Sequence, residues 1–158
     1  MKGISILFLL LLGATIVGLS SCDSRKVFDQ TQNIPNSIWD RSFKVKFAVP
    51  ITDTLTSNNV YLNIRHAEGY PYNNLFLFVH TQFPNGKIYT DTVDCALADE
   101  NGKWLGSGAG DIYDQQIPFK GNVRFRDIGT YTVEIEQAMR LEKLPFIMDA
   151  GLRIERRK

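Results

Sequence analysis

Few side chains in this sequence have the types and spacing that chemistry needs. There are two histidines, His66 and His80, and two cysteines, Cys22 and Cys95. His80 lies in an apolar run, residues 75–83, joined by Pro84-Asn85-Gly86-Lys87 to a second strand-like run from Ile88. The Asn-Gly pair predicts a two-residue hairpin turn, because both central residues of that turn take positive φ. Such a turn would set Phe83 opposite Ile88, Thr81 opposite Thr90, His80 opposite Asp91 and Phe78 opposite Val93. A His–Asp pair could serve as an acid/base dyad. No serine or second carboxylate is placed to complete it, so it reads as a cross-strand surface contact. His66 has no Cys, Asp or Glu at ligand spacing, which leaves metal binding unsupported. Cys95, in a β-like stretch beside Asp94, lacks the electropositive setting of a nucleophile and reads as a buried, inert thiol.

Gly106-x-Gly108-x-Gly110 could suggest a phosphate cradle, but a cradle needs a helix after it and no helical pattern follows. The segment reads as a permissive loop packed under Trp104. Trp104, Gly106 and Gly108, with the loop tyrosines Tyr70 and Tyr72, are the expected partner or ligand surface.

Cys22 is the one residue in a specific chemical motif. Lys2 gives a positive start, residues 4–19 are nearly all apolar, and Leu19-Ser20-Ser21-Cys22 closes the run. This is the layout of a secretory signal. The last four residues resemble the bacterial lipobox, in which cleavage, here after Ser21, frees a cysteine that receives a diacylglycerol and an N-linked acyl chain. No other cofactor is expected. Three chains hold stably where one holds weakly. The charge-free stretch is barely long enough to span a bilayer, and Gly13 and Gly18 dilute it.

Removal of residues 1–21 leaves 137 of the 158, enough for one domain with a real core and no need of disulfides. The signal holds one of the 18 Lys+Arg and none of the 17 Asp+Glu, so the mature chain balances at zero. That balance argues against a nucleic-acid partner and against polybasic help in membrane attachment; the lipid is expected to suffice.

Residues 22–40 are polar and aperiodic, and read as the lipidated N-terminus and a tether, with Trp39 docking onto the body. From residue 41 to 158 the pattern is all-β. Phe43, Val45, Phe47 and Val49 alternate with polar residues, as do Val60, Leu62 and Ile64, and later Met148, Ala150, Leu152 and Ile154. Residues 75–83 begin apolar on both faces, which suggests a central strand, and residues 122–126 read as a short one. Tyr131, Val133 and Ile135 face inward in another. Asp127-x-Gly129-x-Tyr131 resembles the tyrosine corner of Greek-key sandwiches, a structural device. Seven or eight short strands in one domain predict a β-sandwich, Greek key or jelly roll.

Taken in order, these pieces resemble the GldH gliding-motility lipoprotein family of the Bacteroidota. The resemblance rests on Cys22-Asp23-Ser24, Pro35-Asn36-Ser37 with Trp39, and Tyr70-Pro71-Tyr72-Asn73-Asn74-Leu75-Phe76. It continues through Phe83-Pro84-Asn85-Gly86-Lys87, Gly102-Lys103-Trp104-Leu105-Gly106-Ser107-Gly108, the run from Gly129 to Arg140, and Gly151-Leu152-Arg153-Ile154-Glu155. It implies a lipid-anchored envelope component that works with other lipoproteins of the gliding and type IX secretion apparatus, and it brings no catalytic residues. A periplasm-facing outer-membrane position is expected, since no acidic run follows Cys22. The competing expectation is a glycan- or peptidoglycan-binding sandwich, on the strength of Trp104, Tyr70 and Tyr72. An enzyme is least supported.

Overall fold

The computed structural model describes residues 23–158; the signal segment, Ser21 and Cys22 lie outside them. The described chain is all β, built from eleven strands. In chain order these are β1 (Lys26–Asn33), β2 (Ile38–Asp40), β3 (Val45–Ile51), β4 (Asn58–Ala67), β5 (Asn74–Gln82) and β6 (Ile88–Ala96). There follow β7 (Ser107–Ala109), β8 (Ile112–Val123), β9 (Gly129–Gln137), β10 (Lys143–Pro145) and β11 (Ile147–Arg156). One sheet has the order β1-β11-β4-β8-β7 and the other β3-β9-β5-β6, with β2 and β10 as a small extra pair. The eight long strands, 1-11-4-8 facing 3-9-5-6, follow the nested order of two interlocked Greek keys. The sandwich is therefore a jelly roll.

Inward residues of the two sheets make one core. Val45, Phe47 and Val49 of β3 meet Tyr131, Val133 and Ile135 of β9, while Leu62, Ile64, Leu152 and Ile154 come from the other sheet. Trp39 is fully buried and its indole N–H donates to the carbonyl of Phe43, 2.9 Å away. The phenol oxygen of Tyr131 accepts from the backbone N–H of Asp127 at 3.1 Å, across the turn where Gly129 takes φ +141°.

Three expectations from sequence are corrected. Residues 26–40 are not a tether. β1 pairs with β11 over its length, and β2 with β10, so the fold starts four residues after Cys22. The segment looks like a linker because β1 is an edge strand that buries little beyond Phe28. Likewise, of the short strand expected at residues 122–126, only 122 and 123 are strand, the end of a β8 that runs twelve residues from Ile112, and 124–126 are loop. Its Asp114-Gln115-Gln116 and Pro118 hide it from a reading by propensity. Pro118 is tolerated because β7 pairs only with residues 112–114, leaving this part of β8 an edge that needs no N–H there.

The third correction is the β5–β6 register. Gln82 faces Ile88, Thr81 faces Tyr89, His80 faces Thr90 and Phe78 faces Thr92, one residue away from the expected pairing. Only Gly86 has positive φ, +84°, and Asn85 does not. Phe83 donates to the carbonyl of Lys87 and Gly86 donates to that of Phe83. The loop thus has three residues, with Pro84 in the first position where its fixed φ suits a type I turn and Gly86 as the left-handed residue of the bulge. The shift puts Val93 and Cys95 on the core side, opposite Leu77 and Leu75.

Candidate functional site

The residues singled out by sequence come together, with His66 and Tyr70 buried, Trp104 and Tyr72 half-buried, and Gly106 and Gly108 exposed. His66, at the end of β4, is fully buried and ringed by aromatics: Trp104 at 4.6 Å, Tyr113 stacked at 5.6 Å and Tyr70 at 5.9 Å between ring centroids. Tyr72 packs on Tyr70 at 5.8 Å. Tyr70 is buried and its hydroxyl donates to the carbonyl of Asn74, so it is not on a surface. Burial pushes the phenol of Tyr70 well above its usual range and pulls the His66 imidazole below its own. Gly106 and Gly108 are close-packed under β8: a Cβ on Gly106 would lie 2.4 Å from the carbonyl of Asp114, and one on Gly108 2.6 Å from that of Ile112. Residues 107–109 form β7 there, where sequence suggests a loop.

His80 and Asp91 do not meet. His80 Nδ1 is 2.8 Å from the Thr90 hydroxyl, and its Nε2 is 3.2 Å from Glu136 on β9. Asp91 instead pairs with Lys120 of β8 at 2.5 Å. A bulge opposite Val60 re-aims Lys120 inward, and the pair bridges the two sheets beside a 390 Å³ cleft lined by Phe83, Tyr89, Phe119, Phe125 and Tyr131. Cys95 is buried and its thiol is pushed up to about 12 by burial and then by Asp94, which keeps it protonated. Among the described residues no group of three His, Cys, Asp or Glu could hold a metal.

Two outer faces carry what is accessible. On the five-stranded sheet, cross-strand rows Thr31–Gly151–Asn63–Gln116 and Asn33–Asp149–Arg65–Asp114–Ser107 form a polar groove of about 630 Å³. Gly151 makes its floor, because a Cβ there would sit 2.6 Å from Thr31 Oγ1 and 2.9 Å from the carbonyl of Gln30. Arg65 donates to both carboxylate oxygens of Asp114, at 2.7 and 3.1 Å, and reaches Asp149 at 3.4 Å. These partners, Asp114 first, raise the guanidinium pKa and fix its plane.

The four-stranded sheet presents the opposite chemistry. Phe76 and Phe78 point outward from β5 and are 38% and 37% exposed, where a solvent face normally carries polar residues. Met139 and Arg140 flank them, with the Arg41 guanidinium donating to the carbonyls of both at 2.5 and 3.1 Å. Beside them, directly across from Phe78 on β9, Glu136 is held ionised. Burial opposes this, but hydrogen bonds from Lys44 and His80 outweigh it and lower the pKa.

With the geometry described, likeness to known proteins gives the family. The model of the GldH lipoprotein family matches residues 26–154, from the first residue of β1 almost to the end of β11. The chain belongs to the GldH lipoprotein family. It is 37% identical over 149 residues to the gliding motility lipoprotein GldH homolog of Christiangramia forsetii, covering 90% of this chain and 91% of that one. To the gliding motility lipoprotein GldH of Flavobacterium johnsoniae it is 36% identical over 156 residues, covering 94% and 95%. The chain is thus a gliding-motility lipoprotein, lipid-anchored in the cell envelope. Among solved structures, a chain of the infectious bursal disease virus Gt strain overlaps 83% of this chain and 32% of its own, at TM-score 0.36 and 14% identity. That likeness is too loose to carry an argument. The outward phenylalanines escaped the sequence reading because an apolar run on both faces signals a covered central strand, and β5 is central in its sheet yet bare on one side.

Proposed function

We propose that this GldH-family protein is a non-catalytic assembly component, holding other lipoproteins of the gliding and type IX secretion apparatus through the outer face of its four-stranded sheet. The observation that carries the reading is the Phe76–Phe78–Met139 patch with its arginine rim. An apolar centre bounded by Arg41 and Arg140 has the composition of a protein contact, where aromatic residues, Met and Arg are enriched. The outer membrane, with the domain in the periplasm, is the location we favour. The test is in vivo photocrosslinking from a benzophenone side chain at Phe78, with Gln116 on the other sheet as control. Adducts with envelope lipoproteins from 78 alone are expected; none from 78, or equal yields from both, contradicts the reading.

The polar groove favours a second reading, a glycan ligand. Amides and a fixed guanidinium–carboxylate pair over a glycine floor suit a polyhydroxylated chain. Peptidoglycan or glycan capture abolished by Asn63→Ala with the fold intact would favour it. On this reading the glycan would lie on the sheet face, while half-buried Trp104 packs against His66.

A further inference from the structure

Strand directions assign every loop to one of two ends of the sandwich. β1 starts, β4 starts, and β8 and β11 finish at one end, since Asn58 pairs with both Val123 and Arg156, and Lys26 with Glu155. Ile51 pairs with Gly129, and the short connections 52–57 and 124–128 bring the ends of β3 and β9 to the same pole, with the 83–87 hairpin. Asp23, the first described residue, lies at this end, and its carboxylate binds Arg153, which also binds Asp29 and Glu155. Burial works against the charge of Arg153, but its three carboxylate partners raise its pKa overall.

The same end collects two other features. The four most exposed large apolar side chains of the described chain are Leu55 at 84%, Ile128 at 67%, Ile88 at 62% and Tyr89 at 55%. All four lie in or beside its loops, while no other large apolar side chain exceeds 44%. Arg25, Lys26, Arg124, Arg126, Arg156 and Arg157 are exposed there too, and none of them belongs to an ion pair among the described residues. Acidic residues at this end are few: Asp23 and Glu155 in the clamp, Asp53 bonded to Thr56, and Asp127. At the far end Glu68, Asp99, Glu100, Asp111 and Glu142 outweigh the loop cations.

We propose that the end of the sandwich from which the anchor emerges seats directly on anionic phospholipid headgroups, with Leu55 and Ile128 entering the interface and the surrounding arginines against the phosphates. This rests on lipidation of Cys22, and it adds an orientation. Unpaired cations ringing exposed apolar tips complement an anionic surface. Tyr89, apolar in body and polar at its tip, suits headgroup level. With Asp23 bound to Arg153 and β1 beginning at Lys26, few residues separate the acylated position from the folded body. The ten residues of β11 then hold the far loops about 30 Å from the bilayer, with both outer sheet faces standing upright and open to partners.

Spin labels on the mature, acylated protein test this. Leu55→Cys and Ile128→Cys sit at the proposed contact, Glu100→Cys and Asp111→Cys at the far end, and buried Cys95 does not react. In vesicles of phosphatidylcholine with phosphatidylglycerol, labels at 55 and 128 are expected to be at least about threefold less accessible to a water-soluble nickel chelate than those at 100 and 111. The contrast is expected to fall by about half or more in phosphatidylcholine alone, in about 0.5 M salt, or in an Arg124→Glu/Arg126→Glu/Arg156→Glu variant with an unchanged melting curve. Equal accessibility at all four positions in anionic vesicles overturns the proposal. Mass spectrometry of the same sample reads the acyl groups on Cys22, so exposed labels on acylated protein count against the seating and not against the anchor.

Discussion

The two ends of this jelly roll are made differently. The anchor end is loops with bare apolar tips and unpaired arginines around a clamped N-terminus. The far end is closed by structure: β2, paired with β10, buries its Trp39, the Gln137 amide donates to the carbonyls of Leu141 and Glu142, and an aromatic ring encloses His66. One end is stabilised by what it buries, whereas the other leaves cohesive groups facing out. Under the two proposals that difference divides the work, with attachment at one end and partner contact on the faces above it.

The comparison can be broken or sharpened by experiment, beginning with the largest effect. Cys22→Ser removes the acyl chains, and nearly all the protein should leave the membrane fraction, because the headgroup contacts alone are weak; fractionation with immunoblotting reads it. Trp39→Ala strikes the closed end, and with a fully buried indole lost, unfolding by denaturant should show a destabilisation of about 3–5 kcal/mol. Gly151→Val targets the floor between the ends. Its side chain would press on Thr31 and the backbone of Gln30, costing about 1–3 kcal/mol in the same assay and filling the polar groove.

A smaller effect separates the ends by pH. The His66 pKa is lowered by burial, so the unfolded chain binds a proton that the folded chain resists. Stability from this group is full above its usual value near 6.5 and declines as pH falls from there toward the lowered folded value. The melting temperature should therefore drop between about pH 7 and 5.5, and drop less in His66→Phe. Least of all, Asp23→Asn at the exposed clamp should leave the melting temperature nearly unchanged while raising protease cleavage after Arg25. Exposed ion pairs add little to global stability but can hold a terminus in place.

Several parts of the molecule were legible beforehand for local reasons. Alternation in β3, β4, β9 and β11 gives their inward faces directly, since side chains on a strand change sides at every residue. Tyr131 and Asp127 are four residues apart in one turn, and the bond between them needs nothing from elsewhere. β1 and much of β8 were not legible. Their Gln, Asn and Asp residues are strands because β11 and β4 offer complete ladders of partners, a condition no local window contains. The β5–β6 register turned on which of two glycine-containing loops forms. Packing Val93 and Cys95 inward decides that, and the Asn-Gly pair cannot.

Sequence by itself settled the family, the all-β class and the inward faces of β3, β4, β9 and β11, because those depend on residue order and short-range periodicity. Only the tertiary structure decided how neutral overall charge is distributed. The chain has zero net charge without its signal, and folding gathers arginines from residues 25, 124, 126, 156 and 157 at the end where Asp23 lies. Net charge is a sum that discards position, while the field at a bilayer depends on the few charges within a Debye length of it.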